Sequence, residues 1–389
     1  MLKEITSERL PIKMWLTDIE EGALQQARNL ANLPFAYQHI ALMPDCHQGF
    51  GMPIGGVLAL EDIVIPNAVG VDIGCGMCAV KTTLQDISVP RIKEIMSEIR
   101  TVTPLGFKHH KQPQDESRMP SGHDISALRV VGREYINALY QLGTLGGGNH
   151  FIELQKDTGG NIWIMIHSGS RNIGKQVADY YNRLAISLNE KWKSPIPRSA
   201  QLAWLPSHSM EGREYMNEMQ YCIDFAFANR KLMMERTLEI FSKNFKGEFN
   251  AFPMINIAHN YAAEEKHFDK NVIVHRKGAT LAEKGTVGII PGSQGTHSFI
   301  VKGKGNPQSF NSCSHGAGRV MGRKQAQRTL DLQKEIKRLN DMGIVHALRT
   351  PKDLDEAASA YKNIDTVMQA QQDLVEVVER LQPLAVIKG

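Results

Sequence analysis

Short apolar runs rich in β-branched residues, separated by glycine clusters, constrain this chain more than any other feature. IVIP (63–66), IWIMI (162–166), VIV (272–274) and FIVKG (299–303) are too short for helices of typical length. They predict buried strands that end in loops. Helical spacing is rarer. Val177, Tyr180, Tyr181, Leu184 and Leu188 share one face of 174–193, and apolar residues recur through 212–243 at 215/216, 219, 222/223, 226/227 and 233/234. The methionines and aromatics of the second segment are read as core. Val367, Leu374, Val375, Val378 and Leu381 predict a last helix before the tail LAVIKG. Residues 106–124 and the proline-bearing 194–210 lack periodicity and read as loops, the first as either a mobile lid over a cleft or a surface loop. No linker divides the 389 residues. The expected fold is α+β, one integrated domain over 1–389 with mixed sheets flanked by helices and a site collected from strand-end loops.

The chemistry-bearing residues sit at those strand ends. GVDIGCG (70–76) sets Asp72 and Cys75 three residues apart in a glycine turn, where a carboxylate and a thiolate can converge on Zn²⁺, Mn²⁺ or Co²⁺. GTLGGGNHFIE (143–153) places Asn149 and His150 where a triple glycine gives way to a strand. IMIHSGSRNIG (164–174) ends a strand at His167, and its small-residue turn opens a helix whose first N–H groups, with Arg171, suit an anion. NIAHNY (256–261) adds His259. Asp72, Cys75, His150, His167 and His259 are one ligand too many for a single tetrahedral ion and suit two ions sharing a thiolate. Cys78 lies at C-x-x-C spacing from Cys75, but no second such pair completes a zinc ribbon, so Cys78 is read as structural.

Three further stretches stand out. MPDCHQGFGMPIGG (43–56) carries Asp45 and His47 in a Pro/Gly-punctuated loop, where Asp45 can orient an imidazole. IIPGSQGTHSFIVKG (289–303) offers Ser293, Gly295 and Ser298 as a cradle for a phosphate or a base. NSCSHGAGR (311–319) surrounds His315 with small residues and is either a plain glycine turn or a place where a large ligand approaches the backbone.

Composition excludes several classes. No G-x-x-x-x-G-K-[ST] sequence is present, which argues against a Walker-type NTPase. Five cysteines, an odd number, argue against a disulfide framework and for reduced thiols. No run of 18 apolar residues exists and the N-terminus lacks a signal-peptide pattern, so no membrane association and a cytoplasmic location are expected. A net charge of +4 is compatible with a polyanionic partner without requiring one.

Taken in order, KMW (13–15), MPDCH, GVDIGCGM, GTLGGGNHFIE, HSGSR, HNY, RKGA, PGSQG, CSHGAGR, AYKNID and the terminal VIKG resemble the RtcB family of GTP-dependent RNA ligases over almost the whole chain. The resemblance implies an enzyme that joins RNA ending in a 2′,3′-cyclic phosphate or 3′-phosphate to RNA with a 5′-hydroxyl, in RNA repair or tRNA splicing. It implies GTP and two Mn²⁺ ions as cofactors and a histidine–GMP intermediate. Carried over residue by residue, His315 matches the guanylylated histidine and Asp45 the carboxylate that contacts it. Asp72, Cys75, His150, His167 and His259 match metal ligands, with Cys75 as bridge. Asn149, Glu153, Ser293, Ser298, Gly316, Ala317, Gly318, Tyr361 and Lys388 match guanylate contacts, and Arg171, Arg319 and Arg323 are RNA-phosphate candidates. An archease-like activator is a further implied partner. The alternative on the same ligands is a metal-dependent RNA-end phosphohydrolase that does not ligate.

Overall fold

Side chains along Ile162–Ser168 alternate between two buried environments, which explains why the run is apolar throughout rather than alternating with polar residues. Ile162, Ile164 and Ile166 pack into one core with Ile152, Leu154, Ala385 and Ile387, beneath the helices Val89–Val102 and Met210–Asn244. Trp163 and Met165 face the other way, with Met77, Phe151 and Val386. The period of two then places His167 on the second face, and Glu153 and Lys388 with it. Strand parity alone thus gathers residues far apart in the chain onto one side of one sheet.

These relations come from a computed structural model that describes residues 1–389. Its larger sheet has seven strands, in the order Ile255–Ala258, Gly76–Lys81, Ile162–Ser168, Phe151–Asp157, Val375–Lys388, Ser298–Gly303 and Val287–Ile290. The second has six, in the order Lys3–Ile5, Ile12–Met14, Ala36–Phe50, Met52–Leu60, Lys270–Lys277 and Asn260–His267. Pairing is antiparallel except between Ile12–Met14 and Ala36–Phe50. The α+β class, with mixed sheets flanked by helices, is as expected. Val57, Ala59, Val272 and Val274 of the six-stranded sheet pack with Ile290, Phe299, Val301 and Val375 of the other, so a shared core joins the two. The helix Glu21–Ala31 covers the opposite face of the six-stranded sheet. No helix is long and apolar enough to cross a membrane. All five cysteines are free and buried.

The helices expected over 174–193 and 212–243 are observed as Arg171–Lys191 and Met210–Asn244. The expected last helix is wrong over most of its length. Only Ile364–Ala370 is helical; Val375–Lys388 is a strand paired on both edges, to Ser298–Gly303 and to Phe151–Asp157. The i, i+3 spacing of Val375, Val378 and Leu381 is coincidental, since Val378 is exposed. Both edges of the strand find ladder partners, and the β-branched valines suit that conformation. Residues 43–56, read as a loop, form an irregular hairpin: Ala36–Phe50 pairs with Met52–Leu60 through three register shifts. The bulges keep the strands paired despite Pro44 and the glycines.

An ion pair between fully buried Arg276 and half-buried Glu265 braces the strand Ser312–Ser314 that leads into His315. Arg276 forks onto Glu265, with Nη2–Oε2 at 2.9 Å, and also donates from Nε to Ser312 Oγ at 2.9 Å and from Nη2 to the Phe310 carbonyl at 2.9 Å. Burial alone would raise the Glu265 carboxyl, but Arg276 and the His267 hydrogen bond outweigh it and hold it at about 2. A depressed acid stabilises the fold above its unfolded pKa, and that contribution is lost as pH falls through the folded value. Glu265→Gln should therefore cost on the order of 3 kcal/mol at neutral pH. Denaturant titrations should show the gap between the two proteins closing as pH falls from 4.5 towards about 2.

Candidate active site and metal centre

The turn after the short helix Pro66–Val69 carries Asp72 and Cys75, and its backbone is tied down by three hydrogen bonds to the neighbouring residues His259 and Asn260. Gly74 N donates to the Asn260 carbonyl at 2.8 Å, and His259 N donates to the Cys75 carbonyl at 2.8 Å. Asn260 Nδ2 reaches the Asp72 carbonyl at 3.1 Å. Beyond the turn, Gly76 lies so close to the neighbouring strand that a Cβ there would meet the Ile257 carbonyl at 1.9 Å. The glycine after Cys75 is required by that approach.

Five donors converge on this turn. Cys75 Sγ lies 3.4 Å from His150 Nε2 and 3.3 Å from His167 Nε2, and His150 Nε2 lies 3.1 Å from Asp72 Oδ2. Two triads result: Asp72, Cys75 and His150, and Cys75, His167 and His259, each with ligand atoms within 4.8 Å of one another. Cys75 belongs to both. The donor set fits divalent cations of borderline softness. His150 Nδ1 and His259 Nδ1 are buried without a hydrogen-bond partner. His167 has its outer nitrogen fixed by the Asn149 carbonyl at 3.1 Å, which leaves Nε2 for the centre. Burial and neighbouring positive groups hold His167 and His259 well below the usual imidazole range, so both are neutral and competent ligands. Burial, then the Asp72 carboxylate, pushes the Cys75 thiol well up. For Asp72 itself burial acts upward, and the His150 contacts outweigh it.

His315 stands beside this cluster, with its ring centroid 4.8 Å from that of His259. Asp45 Oδ2 accepts from His315 Nδ1 at 2.6 Å, from His315 N at 3.1 Å and from Gly316 N at 3.3 Å. Asp45 is fully buried, so these contacts replace water around one oxygen. Lys362 Nζ donates to the Pro44 and Cys46 carbonyls, at 3.0 and 2.7 Å, and clamps the chain on either side of Asp45. The small residues after His315 have separate reasons. Gly318 has φ +75°, and a Cβ there would lie 2.2 Å from the Asp45 carbonyl oxygen. Gly316 and Ala317 line the open cavity.

That cavity, about 1940 Å³, is lined by the five donors, His315 and most other residues expected to bind ligand. Asn149, Glu153, Ser293, Gly318, Tyr361 and Lys388 are on its wall. Ser298 lies behind the wall, its hydroxyl accepting from Gln155 Nε2 at 3.0 Å and Gly292 N at 3.2 Å. Glu153 accepts from the same Gln155 at 2.5 Å, and burial pushes its carboxyl up to about 8 against the pull of Gln155 and Lys388. Arg171 Nε donates to Thr144 Oγ1 at 3.0 Å and Nη2 to the Gly106 carbonyl at 3.3 Å. The first helical N–H after it is taken: Asn172 N donates to Gln141 Oε1 at 3.0 Å. Arg319 donates to Glu356 at 3.0 Å, to Tyr361 Oη at 3.2 Å and to the Met321 and Asp355 carbonyls. Arg323 Nε joins it on Glu356 at 2.8 Å. Both arginines are thus engaged with the protein.

A family model described as tRNA-splicing ligase RtcB matches residues 26–389. The chain belongs to the RtcB family. The RNA-splicing ligase RtcB of Escherichia coli (strain K12) is 39% identical, with 99% of each chain covered. The tRNA-splicing ligase RtcB of Thermococcus kodakarensis is 33% identical over 95% of this chain and 92% of its own, and that of Methanococcus maripaludis 31% identical over 98% and 95%.

Several residues that build this RtcB-family site escaped the sequence reading. Glu356 is a buried carboxylate that gathers Arg319, Arg323 and the Tyr361 hydroxyl, with Lys388 Nζ 3.9 Å away. Asn229 and Arg230 project from the long helix. Asn229 bonds Gly143 N, the Thr144 carbonyl and the Gly169 carbonyl, and Arg230 bonds the Gly74 and Ser168 carbonyls. Gln371 holds Ser314 through both its backbone N–H and its hydroxyl. Nothing in the local sequence marks these residues; the named partners of Asn229, Arg230 and Gln371 are more than 50 residues away, and those of Glu356 lie on three separate segments.

Shared and unshared ligands should behave differently. If each triad holds one cation, Cys75→Ala should abolish Mn²⁺ binding at both, whereas Asp72→Asn and His259→Ala should each remove one. Elemental analysis after gel filtration checks this, and loss of a single ion from Cys75→Ala would contradict a shared thiolate.

Proposed function

We propose that this chain is an RNA ligase that joins 2′,3′-cyclic phosphate or 3′-phosphate RNA ends to 5′-hydroxyl ends, with GTP as cosubstrate and His315 as the covalent carrier of GMP. The observation that carries this reading is the 2.6 Å contact between His315 Nδ1 and buried Asp45, beside two ligand triads that share Cys75. A simple hydrolase has no use for a nucleotide pocket of Ser293, Tyr361 and Lys388 on the wall beside that histidine. The carboxylate accepts the Nδ1 proton, so the lone pair stays on Nε2. Nε2 attacks the α-phosphorus of GTP; an N–P bond forms, the bond to the bridging α–β oxygen breaks, and pyrophosphate leaves. Asp45 offsets the positive charge that the ring gains. A cyclic end is first opened by water, which breaks the bond from phosphorus to O2′ and leaves a 3′-phosphate; an oxygen of that phosphate then displaces the imidazole and takes the GMP. The 5′-hydroxyl oxygen attacks the activated phosphorus, and GMP departs.

Cations held by Asp72, Cys75, His150, His167 and His259, two Mn²⁺ in this reading, supply Lewis-acid neutralisation of phosphate charge. The protein's own task is positioning. Asn149, Glu153, Ser293, Tyr361 and Lys388 on the cavity wall, with Ser298 behind it, form the guanylate pocket, next to the backbone of Gly316, Ala317 and Gly318. Arg171 borders the metal ligands on the side where an RNA phosphate would enter. Arg319 and Arg323 would reach phosphate by exchanging part of their hold on Glu356.

Incubation with GTP labelled at the α-phosphate and Mn²⁺ should give acid-labile, alkali-stable labelled protein and, with RNA ends, joined product. His315→Ala should abolish both. Label persisting in that variant, or cyclic ends opened without GTP and without joining, would contradict the reading and favour a phosphohydrolase. Glu153 yields a second expectation. Guanine presents N–H donors, which an ionised carboxylate accepts, whereas the free protein keeps this group protonated below about 8. GTP affinity should therefore rise with pH from 6.5 to about 8 and level off above, and Glu153→Gln should flatten the curve in calorimetric titrations.

A further inference from the structure

Phe107 is 97% exposed, more than any other large apolar side chain of this protein. A ring left in water contributes almost nothing to folding through burial, yet its backbone is held firmly. Lys108 N donates to the Leu105 carbonyl at 3.2 Å and closes a β-turn, with Gly106 in the left-handed region at φ +62° and Phe107 at the tip. Gly106 N donates to the Gly146 carbonyl at 3.2 Å, and His110 N to the Tyr140 carbonyl at 3.0 Å. Gly106 also accepts from Arg171 Nη2 at 3.3 Å. A chain of direct contacts therefore runs from the residue beside the metal ligands to the residue before the exposed ring.

The surroundings of the ring suit a polyanion. Residues 108–111 read KHHK. Segments 106–110, 137–141 and 171–175 are joined to one another by hydrogen bonds and all line the cavity, and none of their lining residues is a carboxylate. Lys175 at its edge pairs with Asp179 at 2.5 Å. A second exposed aromatic, Phe50 at 71%, also lines the cavity, but the carboxylate Glu20 lines it close by, accepting from Gln48 N. Of the two strands that a ligase must bring together, only one carries its terminal phosphate into the metal centre. The cationic, carboxylate-free wall leading to Arg171 matches that strand better than the stretch with Glu20.

We propose that Phe107 is a stacking platform for the terminal bases of the phosphate-ended RNA strand, held in register with the reacting phosphate by the Gly106–Arg171 contact. The proposal rests on the RNA-ligase reading for its substrate. A π-face accepts any base, so the platform grips the strand without selecting sequence, and the loop 106–110 acts as a fixed wall rather than a lid.

Fluorescence anisotropy with a short single-stranded RNA bearing a 3′-phosphate, on the full chain loaded with Mn²⁺, tests this. Phe107→Ala should weaken binding about tenfold, and Phe107→Trp should restore it. An RNA whose last two nucleotides are abasic should lose the same factor on the wild-type protein and nothing further on Phe107→Ala. Unchanged thermal unfolding of both variants serves as the fold control, since the ring is exposed. Equal affinity of wild type and Phe107→Ala, or losses from the variant and the abasic RNA that multiply, would overturn the platform. Coupled binding by a protein that never joins ends would instead leave the platform standing and remove the ligase reading.

Discussion

One buried thiol sets the terms for the rest of the site. Cys75 touches His150 and His167 and belongs to both ligand triads, so each group that approaches it also fixes where the others must stand. A carboxylate, a thiol and three imidazoles packed this closely would be costly to bury as charges without a counter-ion. The fold accepts the arrangement because its metal-binding role needs it. Burial keeps His167 and His259 neutral, and the same burial raises the Cys75 thiol pKa, so cation binding and thiol deprotonation are coupled.

The scaffold reads as a set of answers to that demand. The seven-stranded sheet brings His167, Glu153 and Lys388 to one face through strand parity. The six-stranded sheet brings Asp45, and through Arg276 it braces the short strand Ser312–Ser314 that leads into His315. Where the two sheets meet, Asp45 receives the imidazole and the shared core resists any sliding of one sheet over the other. Asn229 and Arg230 tie three ligand-bearing loops to one long helix, with charge-assisted bonds from Arg230 to the carbonyls of Gly74 and Ser168. Arg230 keeps its charge there, since burial lowers its pKa only to about 10.

Much of this was legible in the sequence, for identifiable reasons. The apolar run ending in His167 and the glycines around Asp72 and Cys75 betray buried strands that stop at chemistry, because few other purposes put histidine and glycine there. The motifs also carried the family resemblance, and the fold class followed. What failed was context that only tertiary structure supplies. Val375–Lys388 reads as helical by spacing, but two open strand edges claimed its backbone. Pro44 and the glycines near Asp45 suggested a loop, but bulges kept the hairpin paired. Glu356, Asn229, Arg230 and Gln371 look like ordinary surface or core residues until the fold delivers their distant partners. The small residues around His315 proved to serve two ends: Gly318 admits the Asp45 backbone, and Gly316 leaves the cavity open.

The central claim is that one thiolate is shared by two cations beside the His315–Asp45 pair. Electron paramagnetic resonance of the Mn²⁺-loaded protein tests it most directly, because a shared thiolate couples the spins of the two ions. The account predicts an exchange-coupled spectrum that disappears when Cys75 is replaced by serine or alanine. The uncoupled signal of isolated Mn²⁺ in the fully loaded wild-type protein would contradict it.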